Sequence, residues 1–299
     1  QIARIQRNYD AARHYAEESE RLFREVNASG SGPMSNQYAA ALQALGSIER
    51  EQSNFERAQD LFETALRVYQ EIGDDRGQAD CYRGLGDVLS ARGRYRQACR
   101  RYEQAVRIFR RLGDKPSVSV CLRGIGVANW RQREYVACHQ AIDEGLNVCQ
   151  TIGDRLGEAA SLNLLGLLAI VQGDHAETQR YLKGSVAIYR ELGLRRRTAP
   201  GLHNLGISYM DCGDMAASRQ CLEQALEINT AAGSRSDQAL DLGWLGKLHW
   251  LLKDYSVAAS YLDRALDLDR DLGGGEEEDW HWMWRSAVAC ESGDLEAAR

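Results

Sequence analysis

The sequence predicts an all-α fold, an α-solenoid in which antiparallel helix pairs repeat every forty residues and stack into a superhelix. Two sets of glycines keep this interval along the chain. A fixed period of about 20 to 50 residues indicates that one supersecondary element has been copied and stacked. The first set is Gly46, Gly86, Gly126, Gly166, Gly206 and Gly246, and the second is Gly73, Gly113, Gly153, Gly193, Gly233 and Gly273.

Each repeat is predicted to form two helices, called A and B. In the fourth repeat the apolar residues Leu162, Leu165 and Ala169 recur at helical spacing, which predicts helix A. Gly173-Asp174 then marks a turn, and helical spacing returns in the second half of the repeat. Gly193 ends that half, because glycine readily takes the left-handed conformation of a helix cap.

The period also sets the predicted borders along the chain. Residues 1–33 are expected to hold helix B of an incomplete repeat and a loop. Six complete repeats and part of a seventh are expected to follow, at 34–73, 74–113, 114–153, 154–193, 194–233, 234–273 and 274–299. Because neither end supplies the polar capping repeat that a solenoid needs, we expect the chain to be a piece of a longer polypeptide.

The repeated positions resemble the tetratricopeptide repeat (TPR). They include the Leu165-Gly166 step in helix A, the Gly173-Asp174 turn, and small residues such as Ala58 and Ala98 in helix B. The usual TPR period is about 34 residues, so the forty-residue form is a longer variant. This variant is similar to Pins-type adaptors and to the sensor regions of signal-transduction ATPases and maltose-activator-type regulators. The resemblance implies a right-handed superhelix whose A helices line a concave groove.

The same resemblance assigns partner-binding positions to the A helices. Arginine offers carboxylates a planar fork of donors, and tryptophan and arginine are favoured at binding hot spots. The alternative is that the apolar members, Trp130 and Met210 among them, pack against the next A helix. The predicted groove residues are Arg83, Arg123, Trp130, Asn163, His203, Met210, Lys247 and Trp250.

A tryptophan-rich segment follows the last complete repeat and falls in register with a further helix A. Trp280, Trp282 and Trp284 are predicted to form an interface with another domain or subunit, or else to pack under downstream repeats. The choice stays open because a helix that is apolar all round needs cover on both sides.

Composition and charge favour a protein partner. The net charge is −6, from 37 basic and 43 acidic residues mixed along the chain, so we expect no direct nucleic-acid or membrane partner. The eight cysteines form no CxxC pair, and we expect them to be reduced and mostly buried. That reading predicts a cytoplasmic location.

No signature of catalysis stands out. P-loop, HExxH and GxSxG motifs are missing, and the six histidines are scattered, so we expect no enzyme activity and no cofactor. Asp267, Asp269, Asp271 and Glu278 have the spacing of a calcium loop, but Leu272 stands where that loop needs glycine, so we expect no metal. The basic run 195–197 is interpreted as a solvated edge, with a phosphate site as the alternative.

The expected function is a non-enzymatic scaffold for protein–protein interaction. We expect it to be the ligand-sensing or regulatory TPR region of a larger signalling protein, with a peptide, helix or partner domain bound in its groove. That partner is another protein or another domain of the same polypeptide. The alternatives are a stand-alone adaptor that bridges peptides and a self-assembly module that uses the tryptophan-rich helix.

Overall fold

The computed structural model describes residues 35–274 and 276–293, together with His14, Glu17, Glu18 and Arg21. Thirteen helices and no strand occupy these described ranges, which confirms the all-α prediction. The predicted helix B within residues 1–33 and the residues after 293 lie outside the described part. Among the described helices, none combines the length and the apolar character that a bilayer crossing requires.

The helices alternate between A and B along the chain, and turns of two or three residues join most of them. The A helices are α1, α3, α5, α7, α9, α11 and α13, and the B helices lie between them. In order, the helices are α1 Ser35–Glu51, α2 Phe55–Ile72, α3 Asp75–Ala91, α4 Tyr95–Arg111, α5 Lys115–Arg131, α6 Tyr135–Ile152, α7 Arg155–Gln172, α8 His175–Glu191, α9 Arg195–Asp211, α10 Met215–Ala232, α11 Arg235–Leu251, α12 Tyr255–Leu272 and α13 Glu276–Ser292.

The chain divides into two compact units, Gln1–Gly157 (unit 1) and Glu158–Arg299 (unit 2). Within each unit, the recorded contacts between described helices join elements one or two apart in the chain. Helices that follow each other form the pairs, and four contacts join A helices of successive repeats: α1 with α3 and α3 with α5 in unit 1, and α9 with α11 and α11 with α13 in unit 2. Within each unit, the A helices joined by these contacts therefore form a layer.

The glycines of the first set allow the two helices of a repeat to approach closely. A Cβ on Gly86 would lie 2.6 Å from the Tyr102 ring, and one on Gly166 would lie 2.5 Å from Cδ2 of Leu182. In each case the bulky residue comes sixteen positions after the glycine and belongs to helix B of the same repeat. This contact explains why glycine recurs at this position of the repeat.

The second set of glycines ends B helices in the predicted way. Gly73 has a φ of 72° and Gly153 a φ of 70°, both in the left-handed region. The aspartate that follows starts the next A helix. Asp74 accepts a hydrogen bond from the backbone N–H of Gly77, and Asp114 accepts one from Ser117.

Candidate interaction surface on the A helices

The predicted groove residues all lie on A helices. Arg83 is in α3, Arg123 and Trp130 in α5, Asn163 in α7, His203 and Met210 in α9, and Lys247 and Trp250 in α11. Within each unit, we call the side of the A helices that faces away from the B helices the A face. Its unit 1 part comprises Arg50, Arg83, Asp87, Arg123 and Trp130. Its unit 2 part comprises Asn163, Val171, His203, Lys247, Trp250, Leu251, Trp280 and Met283.

Two charged residues of the unit 1 A face, Arg50 and Asp87, bind each other. Arg50 in α1 donates from Nη1 to Oδ2 of Asp87 in α3 over 2.5 Å. The hydroxyl of Tyr102 donates to Oδ1 of the same carboxylate over 2.8 Å. Burial raises the pKa of Asp87, and the contacts with Tyr102 and Arg50 partly offset that effect. The carboxylate thus links α1, α3 and α4 and is already occupied.

The two predicted arginines of unit 1 also have partners within the unit. Arg83 places Nη2 2.8 Å from Oδ1 of Asp80, and its guanidinium carbon lies 6.0 Å from the centre of the Phe109 ring. Arg123 places Nη1 3.9 Å from Sγ of Cys149, whose thiol has its pKa raised by burial. Only some of the N–H groups of these two arginines are therefore left to bind a partner.

The unit 2 A face carries a lysine enclosed by indoles. Nζ of Lys247 lies 4.5 Å from the ring centre of Trp244 and 5.3 Å from that of Trp284. The two indoles meet edge to face with centres 5.2 Å apart. Such cation–π contacts stabilise the charge while leaving the ammonium able to bind an anion. Trp250 lies beside them, partly buried against Ala258 and its neighbours.

His203 is held by a buried carboxylate. Its Nδ1 lies 2.6 Å from Oδ1 of Asp241, a residue with 0% exposure, and the amide of Asn229 donates to Oδ2 of Asp241 over 2.8 Å. The ring of His203 meets Trp244 edge-on, with centres 6.4 Å apart. Asn163 is half-buried in α7.

Two of the predicted surface residues are in the core, which corrects the sequence analysis. Met210 is 4% exposed and packs with Leu222, Leu245 and Leu248, so the alternative of packing within the stack is the one observed. Trp284 is 6% exposed and packs with Leu262 and its neighbours. Met210 is covered by apolar side chains of its own and the next repeat, and Trp284 by apolar side chains of the preceding repeat.

The three C-terminal tryptophans do not form a single surface. Trp280 is 58% exposed and Met283 is 52% exposed, and their spacing of three residues puts them on one side of α13. Trp282 is also exposed, but its contacts are with other groups. Arg270 of α12 lies 5.8 Å from its ring centre, and Glu278 of α13 accepts a hydrogen bond from its indole N–H. The predicted interface thus reduces to Trp280 on the A face and Trp282 elsewhere.

The residues with calcium-loop spacing have other partners. Asp269 is buried and its Oδ2 lies 2.7 Å from Nδ1 of His281, while Asp267 pairs with Arg270 and Asp271 with Arg235. Glu278 accepts from the Trp282 indole. In the basic run, Arg195 pairs with Glu227 across 2.5 Å, and the two arginines after it are exposed.

Sequence reasoning missed the buried polar groups of unit 2. Asn229 and Asp269 stand at the repeat position that holds Tyr69 in unit 1, and Asp241 and His281 stand at the position of Cys81. The signal was present, because two packing positions turn polar together at the same junctions. Comparing equivalent positions of the repeats only for apolar character does not reveal this change to polar residues.

Comparison with known proteins was made by sequence and by structure. The sequence model of the tetratricopeptide repeat matches residues 37–111 and 197–271. No curated protein matches the chain.

Three solved structures are similar in fold. One is the apo form of the quorum sensor NprR from B. thuringiensis, at TM-score 0.72 and 12% identity over 99% of this chain and 81% of that chain. Another is a signal transduction ATPase with numerous domains that carries a tetratricopeptide repeat sensor, from Pyrococcus horikoshii, at TM-score 0.64 and 13% identity over 97% and 43%. The third is a Rap protein complexed with Competence and Sporulation Factor, at TM-score 0.59 and 14% identity over 90% and 77%.

At these identities the structures support the fold, and the sequence model supports the family. Its two matches together cover half of the 299 residues, and they fall on helix pairs with the glycine and cap geometry described above. The chain belongs to the tetratricopeptide repeat family.

Proposed function

We propose that this chain is the ligand-sensing or regulatory region of a larger signalling protein and that it binds a peptide or helix of a partner on the unit 2 A face. It acts as a scaffold and not as an enzyme. The bound segment is apolar on the side that meets the A helices and carries a carboxylate that reaches Lys247.

The contrast between the two A faces is the observation that carries this proposal. In unit 1 two arginines of the face are paired with carboxylates of the same unit, as Arg50–Asp87 and Arg83–Asp80. In unit 2 the face exposes Val171, Leu251, Trp280 and Met283. Apolar groups gathered on one surface favour a partner, since burial stabilises by roughly 25 cal/mol per Å² of apolar area.

Lys247 adds a polar anchor to this apolar surface. The indoles around its Nζ exclude water from one side of the ammonium, so a carboxylate that approaches from the open side meets a charge that is already partly desolvated. One charged anchor among apolar contacts suits a short acidic and apolar segment.

The structural relatives support a regulatory setting. One is described as a quorum sensor, one as a signal-transduction ATPase with a TPR sensor, and one as a Rap protein in complex with a named factor. Two of these descriptions name a sensor, and the third names a bound factor.

The test is a selection of peptide ligands on the purified chain, followed by affinity measurement through fluorescence anisotropy. Lys247→Glu and Met283→Glu should each weaken the selected peptide by about tenfold or more, because they reverse the anchor charge and place a charge in the apolar contact. The control is Val257→Glu, which alters an exposed valine on the B helix α12. Equal affinities for all four proteins would refute the proposal.

A second candidate is self-assembly, which the exposed Trp280 and Met283 favour. A second copy would then cover these two residues. Light scattering over a range of concentrations tests this candidate. A constant monomer mass would reject it, and a dimer that Trp280→Glu dissociates would favour it over peptide binding.

A further inference from the structure

A small pocket opens in unit 2 between α9, the end of α10 and the start of α11. Its volume is about 200 Å³. Drug-sized ligands occupy pockets of about 300 to 1,000 Å³, so this one has room for a single side chain. Its lining residues are Ala199, Pro200, His203, Asn204, Asn229, Asp237, Leu240 and Asp241.

At the junction of the first and second repeats, side chains fill the equivalent place. There the ring of Tyr69 lies against Gly77, so closely that a Cβ on that glycine would overlap it. The Tyr69 hydroxyl donates to Oε1 of Gln43 over 3.2 Å. Cys81 completes the packing from the next A helix and is buried.

All four of these positions differ in unit 2. His203 replaces Gln43, Asn229 replaces Tyr69, Asp237 replaces Gly77 and Asp241 replaces Cys81, each 160 residues further along the chain. Asn229 is too short to fill the space of a tyrosine ring, so the gap between α9 and α11 stays open. Two of the four replacements, Asp237 and Asp241, also add carboxylates to the lining of the pocket.

The pocket contains hydrogen-bond acceptors that a ligand can use. A carboxylate only accepts, so Nδ1 of His203 must donate to Asp241, and Nε2 is then an acceptor when the ring is neutral. Each carboxylate oxygen of Asp241 already accepts one hydrogen bond, Oδ1 from His203 and Oδ2 from Asn229. Asp237 is exposed at the rim and accepts one hydrogen bond, from the Ser234 hydroxyl over 2.5 Å.

The charge of the pocket favours a cation. Two ionised carboxylates and one imidazole sum to −2 when the ring is neutral and to −1 when it is protonated, and no lysine or arginine lines the pocket. A guanidinium matches this wall best, because it keeps its charge and offers several donors in one plane. Its three-carbon stem suits the apolar lining of Ala199, Pro200 and Leu240.

We propose that this pocket binds an arginine side chain of the partner. The inference rests on the proposed function in that the arginine belongs to the segment bound on the unit 2 A face. The pocket is lined in part by His203, a residue of that face, so one ligand can reach both. Asp237 is the main recognition residue, and Asn229 keeps the space open.

The experiment titrates the whole chain with Nα-acetyl-L-arginine methylamide and follows the imidazole nitrogens of His203 by NMR. The matched probe is Nα-acetyl-L-citrulline methylamide, which has the same shape and no charge. We expect the arginine probe to saturate and the citrulline probe to bind at least about tenfold more weakly, since hydrogen bonds to charged groups are the stronger ones.

Two variants make the test specific. Asp237→Asn removes a charge at an exposed position and should weaken the arginine probe about tenfold. Asn229→Tyr refills the pocket with the residue of the first repeat and should abolish binding. Asp211→Asn, an exposed position at the other end of α9, is the control and should change nothing.

The outcomes separate this inference from the proposed function. Equal binding of the two probes, or unchanged binding in Asp237→Asn, overturns the pocket, whatever happens with selected peptides. If the arginine probe behaves as expected while Lys247→Glu leaves peptide affinity unchanged, the pocket stands and the peptide-binding face is rejected. If Asn229→Tyr does not fold, the Asp237→Asn result decides alone.

Discussion

Gly86 and Tyr102 are in direct contact across the second helix pair. A Cβ on Gly86 would lie 2.6 Å from Cε1 of the Tyr102 ring, closer than side chains approach in proteins. The ring is further held by its hydroxyl, which donates to Asp87. The glycine that sets the period therefore marks the place where helix B packs on the backbone of helix A.

This contact predicts that Gly86→Ala destabilises the chain despite the better helix propensity of alanine. Overpacking a well-filled site costs about 1–3 kcal/mol, and the hydrogen-bonded ring cannot move aside freely. Urea unfolding followed by circular dichroism should show a lower midpoint for the variant. A midpoint equal to that of the parent would contradict the explanation of the glycine period.

Gly145→Ala is the matched control and should have the opposite effect. Gly145 lies in helix α6, and its added Cβ would come no closer than 3.4 Å to Leu122, an ordinary contact. Alanine should then raise the free energy of unfolding by about 0.5–1 kcal/mol through helix propensity alone.

The buried pair Asp269–His281 should be costly to break from one side. Both residues are buried, and 2.7 Å separates Oδ2 from Nδ1. Removing the partner of a buried carboxylate costs about 3–5 kcal/mol because the carboxylate is left without compensation. We expect a loss of that size for His281→Leu.

A double-mutant cycle checks this prediction. Asp269→Leu with His281→Leu should recover much of the stability lost in either single variant, because no buried charge then stays unpaired. Additive losses in urea unfolding would contradict the coupling.

Asp87 should give the chain a specific pH dependence. Burial raises its pKa above the ordinary value of 3.8, so the folded state binds this proton more readily than the unfolded chain. Its stabilising contribution is therefore fully present below the ordinary pKa and is lost as the pH rises through the folded-state pKa.

The comparison of wild type with Asp87→Asn isolates this effect. Relative to the variant, the wild-type chain should gain unfolding free energy as the pH falls from 7 to 4. Asp60→Asn, at an exposed position, serves as the control. A constant difference between wild type and Asp87→Asn across this range would show that the carboxyl does not titrate differently on folding.

The cysteines should divide into two classes by reactivity. Burial raises the pKa of Cys81 and Cys121 to about 12, whereas Cys212 and Cys290 are exposed. Because the thiolate is the nucleophile, brief treatment of the folded chain with iodoacetamide should label the exposed pair and spare the buried pair. Peptide mass spectrometry measures the labelling, and urea should make all four react alike.

The sequence was sufficient to predict the repeat and its helices. The glycines at forty-residue intervals, the caps at Gly73 and Gly153 and the apolar spacing are local signals, because helix geometry and turn chemistry act over a few residues. The A-helix positions of Arg83, Lys247 and the other groove residues followed from the same register. These predictions needed no knowledge of which side chains meet.

Only the tertiary structure decided which of those residues remain available. Met210 and Trp284 have the spacing of surface anchors but are buried, since apolar side chains of neighbouring repeats cover them. Arg50 is bound to Asp87, a partner 37 residues away. Asn229, by failing to fill the space of a tyrosine, opens a pocket with Asp237 that no single repeat reveals. Burial, pairing and empty volume depend on side chains from neighbouring repeats, and the period of one repeat does not specify them.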